Sequence, residues 1–384
     1  MSPKKYIYIV QVTRQLSIDI INNFVNQGME IRLITGIVES NYEALDPSVK
    51  ITGLIRHSAA SPFRRLFSWT VFTISTFFHI LFSGRRNELI LVSTPPFIIF
   101  LGLFFKKIRD QNYHLIIWDL YPDILVNFGV IKKNSVVNTI WSGLNKGCFN
   151  RATSIFTLGK PLAIAISNYT EKKPVIIHNW VNTDFVKPIP REGNPFVEKH
   201  NLSGKFVVMY SGNLGESHDL ESILTAAEIL QANQKIKFVI IGDGAKKERI
   251  YNYVAEKNLS NVLLLPYQEN TMLPFSLGCA DVGVVTLDEG AGSVSVPSKT
   301  YYMLSAGSVI LAIAPAESEL AAIIRDYDCG KIFQKGKTDE IAGFIETLSQ
   351  NHELADEYKS RSRTASFHFS PENAKMFVNT ICKS

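Results

Sequence analysis

Cysteine is scarce in this chain. There are four in 384 residues (Cys148, Cys279, Cys329 and Cys382), with no CxxC and no Cys/His grouping. That spacing argues against a disulfide framework and against a zinc site, and it fits a reducing compartment. Internal repeats and low-complexity tracts are missing, so neither a solenoid nor a linker protein is indicated. The opening MSPKKYIYIVQV has too short an apolar run for a signal peptide and no small-residue cleavage site, so a cytoplasmic location is expected. No nucleic-acid-binding module appears, and nucleic acid is not an expected partner. DYD at Asp326 to Asp328 falls between a helix and a strand start, the wrong end of a sheet for a ligand, and no metal site is expected.

What is present is apolar and aromatic residue, 46% and 11% of the chain, enough for folded cores in two or three domains. Charge is divided unequally. Residues 1–190 carry 21 Lys+Arg against 11 Asp+Glu, a balance of +10, and the remainder carries 19 against 24, a balance of −5. A basic first half implies an anionic partner for that half. Within it, RRLFSWTVFTISTFFHILFSGRR places an apolar run between two arginine pairs, and PFIIFLGLFFKKIR follows. Three readings are open: a helix lying on a bilayer, an ordinary buried helix, or a spanning helix of borderline length. The favoured reading sets Arg64, Arg65, Arg85, Arg86, Lys106 and Lys107 near lipid headgroups on the inner face of the cell membrane.

Strand and helix signals alternate along the chain. KYIYIVQV, EIRLITG, VKITGLI, ELILVSTPP, HLIIWDLYPD, SIFTLG and PVIIHNWV read as strands of the first half. KFVVMYSG, IKFVIIGDG, NVLLLPY, DVGVVTL, SVILAIA and GKIF read as strands of the second. Helical patterns of 10 to 15 residues separate them, which indicates parallel sheets with crossover helices. The fold class expected is α/β, with two doubly wound, Rossmann-like parallel-sheet domains facing across a cleft. The expected divisions are 1–190, 191–369 and a terminal helix over 370–384 that returns to the first domain. The linker is VKPIPREGNP.

In open α/β sheets ligands bind beyond the carboxyl ends of the strands, so the candidates are sought there. YSGNLGESH supplies Gly212, Asn213, Gly215 and His218; IIGDGAKK supplies Gly242, Gly244 and Lys246; LLLPYQ supplies Pro266 and Tyr267 as a wall for a base. Each alone also reads as an ordinary turn. VTLDEGAGSVSVPSK is a long loop whose Gly292, Ser293 and Ser298 offer amides and hydroxyls to a sugar and a diphosphate. It leads to Lys299, a cation in the first turn of a helix closed by Gly307. A cation there opposes the helix dipole unless an anion arrives, although it could instead point into solvent. Four adjacent strand ends that could serve one nucleotide diphosphate favour the phosphate contact. In the first half, Asp119 of WDLYPD stands at a strand exit, where a carboxylate could act on an acceptor hydroxyl or merely cap the loop.

Taken together, SGNLG…H, IGDG, LLPY and PSKTYYMLSAG resemble the nucleotide-sugar domain of family-four-like glycosyltransferases of GT-B fold. STPP, DLYPD and HNWVNTDFVKP resemble the other half of its bacterial surface-polysaccharide branch. The resemblance covers nearly the whole chain. It implies retaining, metal-independent transfer, without a cofactor, from a nucleotide-sugar to a saccharide acceptor that is often linked to polyprenyl diphosphate. UDP is the default base. Three departures accompany it. The first strand–helix turn, QVTRQLS, lacks the family's glycine pair, and Asn213 and His218 stand where an arginine and a lysine are usual. The family's paired glutamates would fall at Val294 and Tyr302, neither acidic, which leaves Tyr302 to meet the donor ribose and Glu289 as a replacement carboxylate. With Asp119 and Lys299, Glu289 completes the expected catalytic group. The departures keep two other readings open: a non-catalytic partner of the same fold, and an epimerase.

Overall fold

The computed structural model describes residues 4–58, 61–288 and 297–383. They divide into two compact units. The first takes 4–179 and 371–383, and the second takes 180–370, each over its described residues.

The first unit is built on a seven-stranded parallel sheet. In chain order its strands are β1 (Lys5–Ile9), β2 (Glu30–Thr35), β3 (Lys50–Gly53), β4 (Glu88–Val92), β5 (Tyr113–Ile117), β6 (Ser154–Thr157) and β7 (Val175–Ile176). Their spatial order is β3-β2-β1-β4-β5-β6-β7, with Ile7 opposite both Arg32 and Leu89. β1, β4 and β5 are buried on both faces, and so they read as unbroken apolar runs rather than alternating ones. The crossovers include α1 (Gln15–Asn26), α2 (Pro62–Leu81), α3 (Ile99–Arg109), α4 (Asp123–Asn127) and α5 (Val136–Arg151). Phe72 of α2, Leu103 of α3 and Phe149 of α5 join Leu91 and Leu115 in one core.

The second unit has a six-stranded parallel sheet: β8 (Phe206–Ser211), β9 (Ile236–Ile241), β10 (Val262–Leu265), β11 (Val282–Thr286), β12 (Val309–Ile313) and β13 (Gly330–Phe333). The order β10-β9-β8-β11-β12-β13 reverses direction between β8 and β11. That reversal is the topological switch point at which such sheets bind ligands. α6 (Lys247–Glu256) follows β9, and α7 (Lys299–Ala306) lies between β11 and β12. Gly307 ends α7 at φ +73, the left-handed cap expected from its position.

The division between units falls at 179/180 rather than at 190/191. The intervening segment packs on the second unit: the Ser305 hydroxyl donates to the Val186 carbonyl, and Arg363 donates to the carbonyls of Thr183 and Val186. At the other end α8 (Glu372–Lys383) lies on α1 in the first unit, with Phe377 against Phe156 and Gln27 donating to Asn379.

Candidate functional site

At the switch point of the second sheet, the turns after β8 and β9 are zipped together. Leu214 donates its amide to the Asp243 carbonyl at 2.8 Å, and Lys246 donates its amide to Leu214 at 2.8 Å. Such close approach requires glycine. Gly242 has φ +155, and a Cβ there would run into the Gly212 carbonyl. Gly212 has φ +150, and a Cβ would press on Lys299, 3.1 Å from its Nζ. The ammonium of Lys299 thus lies over the backbone of the first strand-end turn. It donates to the Tyr210 hydroxyl at 2.7 Å and sits 3.9 Å from that ring's centre. Tyr210 in turn donates to the Asn213 carbonyl at 2.6 Å. Burial pushes the Lys299 ammonium down to about 7. A charge held at such a cost suits a site that expects an anion.

His218 joins this group. Its Nδ1 is 3.1 Å from the Thr286 hydroxyl at the end of β11. Burial, then the charge of Lys299, lowers its pKa to about 4, so the imidazole is neutral near pH 7. Lys246 is placed differently from a free phosphate ligand. It is buried, and its ammonium donates to the His218 carbonyl at 2.6 Å and pairs with Glu221 at 3.0 Å. It therefore fixes the turn that carries His218. Pro266 and Tyr267 are exposed at the end of β10. Ser298 precedes α7 without a capping side-chain hydrogen bond and is exposed, and Tyr302 is half-buried one turn on. Glu289, Gly292 and Ser293 lie outside the described residues.

In the first unit, Ser93 at the end of β4 accepts hydrogen bonds from the amides of Trp118 and Asp119, both at 3.1 Å. That ties the STPP and WDLYPD turns together, each of which holds a cis X–Pro bond (Thr94–Pro95, Tyr121–Pro122). Asp119 lines a small pocket with Ser93, Pro96, Ile117 and Tyr121. Burial raises its pKa to about 6. Beside it runs an aromatic series: Trp69 edge-on to Tyr121 at 6.1 Å, Tyr121 stacked with Trp141 at 6.1 Å, and Trp141 against Phe97 at 5.3 Å.

Helix α2 is apolar on two opposite faces. Ser68, Phe72, Thr76 and Ile80, four residues apart, are buried on the sheet side. Phe63, Leu66, Phe67, Ile74, Phe78 and Leu81 project on the other side and are exposed, Phe63 to 78%. This corrects the buried-helix alternative. Among the described residues, no helix is long and apolar enough to cross a membrane. Arg64, Arg65, Arg85, Arg86 and Lys107 are exposed around this face, whereas Lys106 is half-buried and paired with Asp110 at 2.7 Å.

Two participants escaped the sequence reading. Tyr210 stands two residues before Gly212, on the same face of the strand, so strand parity carried a signal for it. Ser93 stood in plain view in STPP, but its partners lie 25 and 26 residues away.

The family described as "Glycosyl transferases group 1" matches residues 194–365. That match falls within the second unit, and the chain has the GT-B fold. "Probable glycosyltransferase WbjE" of Pseudomonas aeruginosa is 29% identical over 253 residues, 64% of this chain and 62% of its own length. The chain thus spans somewhat under two thirds of that relative. WcaI of Escherichia coli (strain K12), named as a colanic acid biosynthesis glycosyl transferase, is 24% identical over 84% of this chain and 80% of its own. Among solved structures, HepE of Anabaena in complex with UDP superposes with a TM-score of 0.74 at 11% identity, over 99% of this chain and all of that one.

Proposed function

We propose that this glycosyltransferase moves a sugar, with retention and without a metal, from a nucleotide-sugar to a saccharide acceptor in surface-polysaccharide biosynthesis. UDP-sugar is the donor by default, and the acceptor is carried on a polyprenyl diphosphate at the inner membrane face. The observation that carries the reading is the ammonium of half-buried Lys299, held by Tyr210 and set over Gly212 at the switch point of the second sheet. There it meets the leaving diphosphate, whose negative charge grows in the transition state. Tyr210 fixes the ammonium, and neutral His218 presents a ring nitrogen to the sugar side without adding charge. Asp119, raised toward neutrality, receives or orients the acceptor hydroxyl. The UDP seen in HepE and the name of WcaI support the donor and the pathway class. The bare apolar face of α2, ringed with arginine, supports delivery of the acceptor from a membrane.

The test is thermal stabilisation by UDP, GDP, ADP and CMP. A ligand that binds only the native state raises apparent stability by mass action. One nucleotide is expected to shift the transition in the wild type and not in Lys299→Ala. Turnover with that donor is expected to survive chelation with EDTA. No shift with any nucleotide would return the reading to a non-catalytic partner.

A further inference from the structure

The segment from α4 to α5 carries a second exposed apolar surface, separate in sequence from α2. Phe128 and Val130 follow α4 and are exposed. On α5, Val136, Val137, Ile140 and Leu144 are exposed, Val136 to 73%. Positions i, i+1, i+4 and i+8 fall within an arc of about 100° of the helix. The inward arc of the same helix holds Asn145, Cys148 and Phe149. The remaining surface carries Asn138, Thr139, Lys146 and Asn150. This is the pattern of a helix with a core side and an adjoining apolar side left exposed among the described residues.

Charge indicates what covers it. From Ile124 to Thr170 there is no Asp or Glu, while Lys132, Lys133 and Lys146 are exposed there. Around α2 and α3, residues 47–109 contain one acidic residue, Glu88, which is buried and bonded to His114. The two surfaces belong to one framework, since α3 packs on α5, Phe77 of α2 meets Phe104 of α3, and Trp69 is linked through Tyr121 to Trp141. Asp110, exposed at the end of α3, is paired with Lys106, and Asp123, at the start of α4, accepts from Tyr169. Apolar stripes among lysine and arginine with so few carboxylates complement an anionic lipid surface.

We infer that the α4–α5 segment is a second membrane-docking element, in which Phe128, Val130, Val136, Val137 and Ile140 enter the headgroup region of an anionic bilayer. It rests on the membrane-facing reading of α2 and gives the first unit two lipid contacts in place of one. Two contacts on one rigid body fix its orientation to the bilayer, which a single helix does not.

The full chain is mixed with vesicles of phosphatidylcholine alone, or of phosphatidylcholine with phosphatidylglycerol, and bound protein is measured by sedimentation. The variant is Val136→Glu, Val137→Glu and Ile140→Glu together, at exposed sites. Scanning calorimetry that shows the first unit's transition at its wild-type temperature verifies that the variant is folded. Binding to the anionic vesicles is expected to fall ~10-fold or more, since three apolar insertions become charged. A polarity-sensitive dye on Val137→Cys, in a Cys382→Ser background, is expected to shift to the blue with anionic vesicles only. Unchanged binding with an unshifted dye overturns the inference, and if Phe63→Glu, Phe67→Glu and Ile74→Glu still abolish binding, α2 alone docks. No binding by the wild type overturns the α2 reading as well. Concentration-dependent dimerisation lost in the triple variant, without vesicle binding, overturns it in favour of contact between copies.

Discussion

Lys299 costs stability at the place where the proposed function needs its charge. Its folded pKa is depressed from 10.5 to about 7, so between those values the unfolded chain binds more protons than the folded one. Stability therefore rises as pH climbs through that window, and the penalty is full below about 7. Lys299→Met removes the buried charge. Its melting temperature is expected to exceed the wild type's at pH 6, while kcat falls by about 10²–10³, the usual cost of losing one charge-stabilising donor. A variant less stable than wild type at pH 6 would show that the ammonium is a structural tie to Tyr210. The pH dependence of kcat/KM follows from the same group and Asp119. In the proposed roles Asp119 acts ionised, which needs pH above about 6, and Lys299 acts protonated, which needs pH below about 7. The free enzyme is thus expected to give a narrow bell with limbs near those values. Asp119→Asn should remove the acid limb from its residual activity. In the pH profile of kcat the alkaline limb should move upward, because bound diphosphate holds the proton on Lys299.

The paired strand-end turns act as one element. Gly242→Ala forces both a left-handed φ on alanine and a methyl group into the Gly212 carbonyl, so the turn under Lys299 must shift. Nucleotide stabilisation is expected to be lost or cut at least 10-fold in affinity, a 1 Å displacement being enough for such losses. A wild-type nucleotide response in this variant would place the ligand elsewhere. This pair of turns was legible in the sequence because glycines fall at adjacent strand exits together, each alone reading as an ordinary turn, and the parallel strands were legible because doubly buried strands are unbroken apolar runs. Other elements were hidden for definable reasons. The helix His352–Ser366 buries only Ala355, Ser362, Ala365 and Ser366, so it shows no large apolar stripe and forms through packing on its neighbours. α5 was obscured because its apolar residues are divided between a core side and a bare side. The use of Lys246 was unreadable because Glu221 lies 25 residues away and the bond to His218 goes to a carbonyl, which no residue type announces.

At the scale of the chain, its two ends meet in one unit. α8 leaves the second unit and buries Ala374, Phe377, Val378 and Ile381 in the first. The second unit holds the switch-point site and a core of its own, formed by residues such as Tyr210, Ile240, Val284 and Leu311. Heating should therefore give two transitions with separate sensitivities. Deleting residues 371–384 withdraws three large apolar side chains from the first unit. At about 1.5–3 kcal/mol each, that removes roughly 5 kcal/mol or more, an upper estimate that is nonetheless a large part of a domain's usual stability. Scanning calorimetry of the truncated chain should show one transition lowered sharply or absent, with the other near its wild-type temperature. UDP should raise the transition that the truncation spares, because the site belongs to the second unit. If UDP instead raised the transition that the truncation removes, the nucleotide would belong to the first unit, and the roles assigned to Lys299 and Asp119 would have to be exchanged.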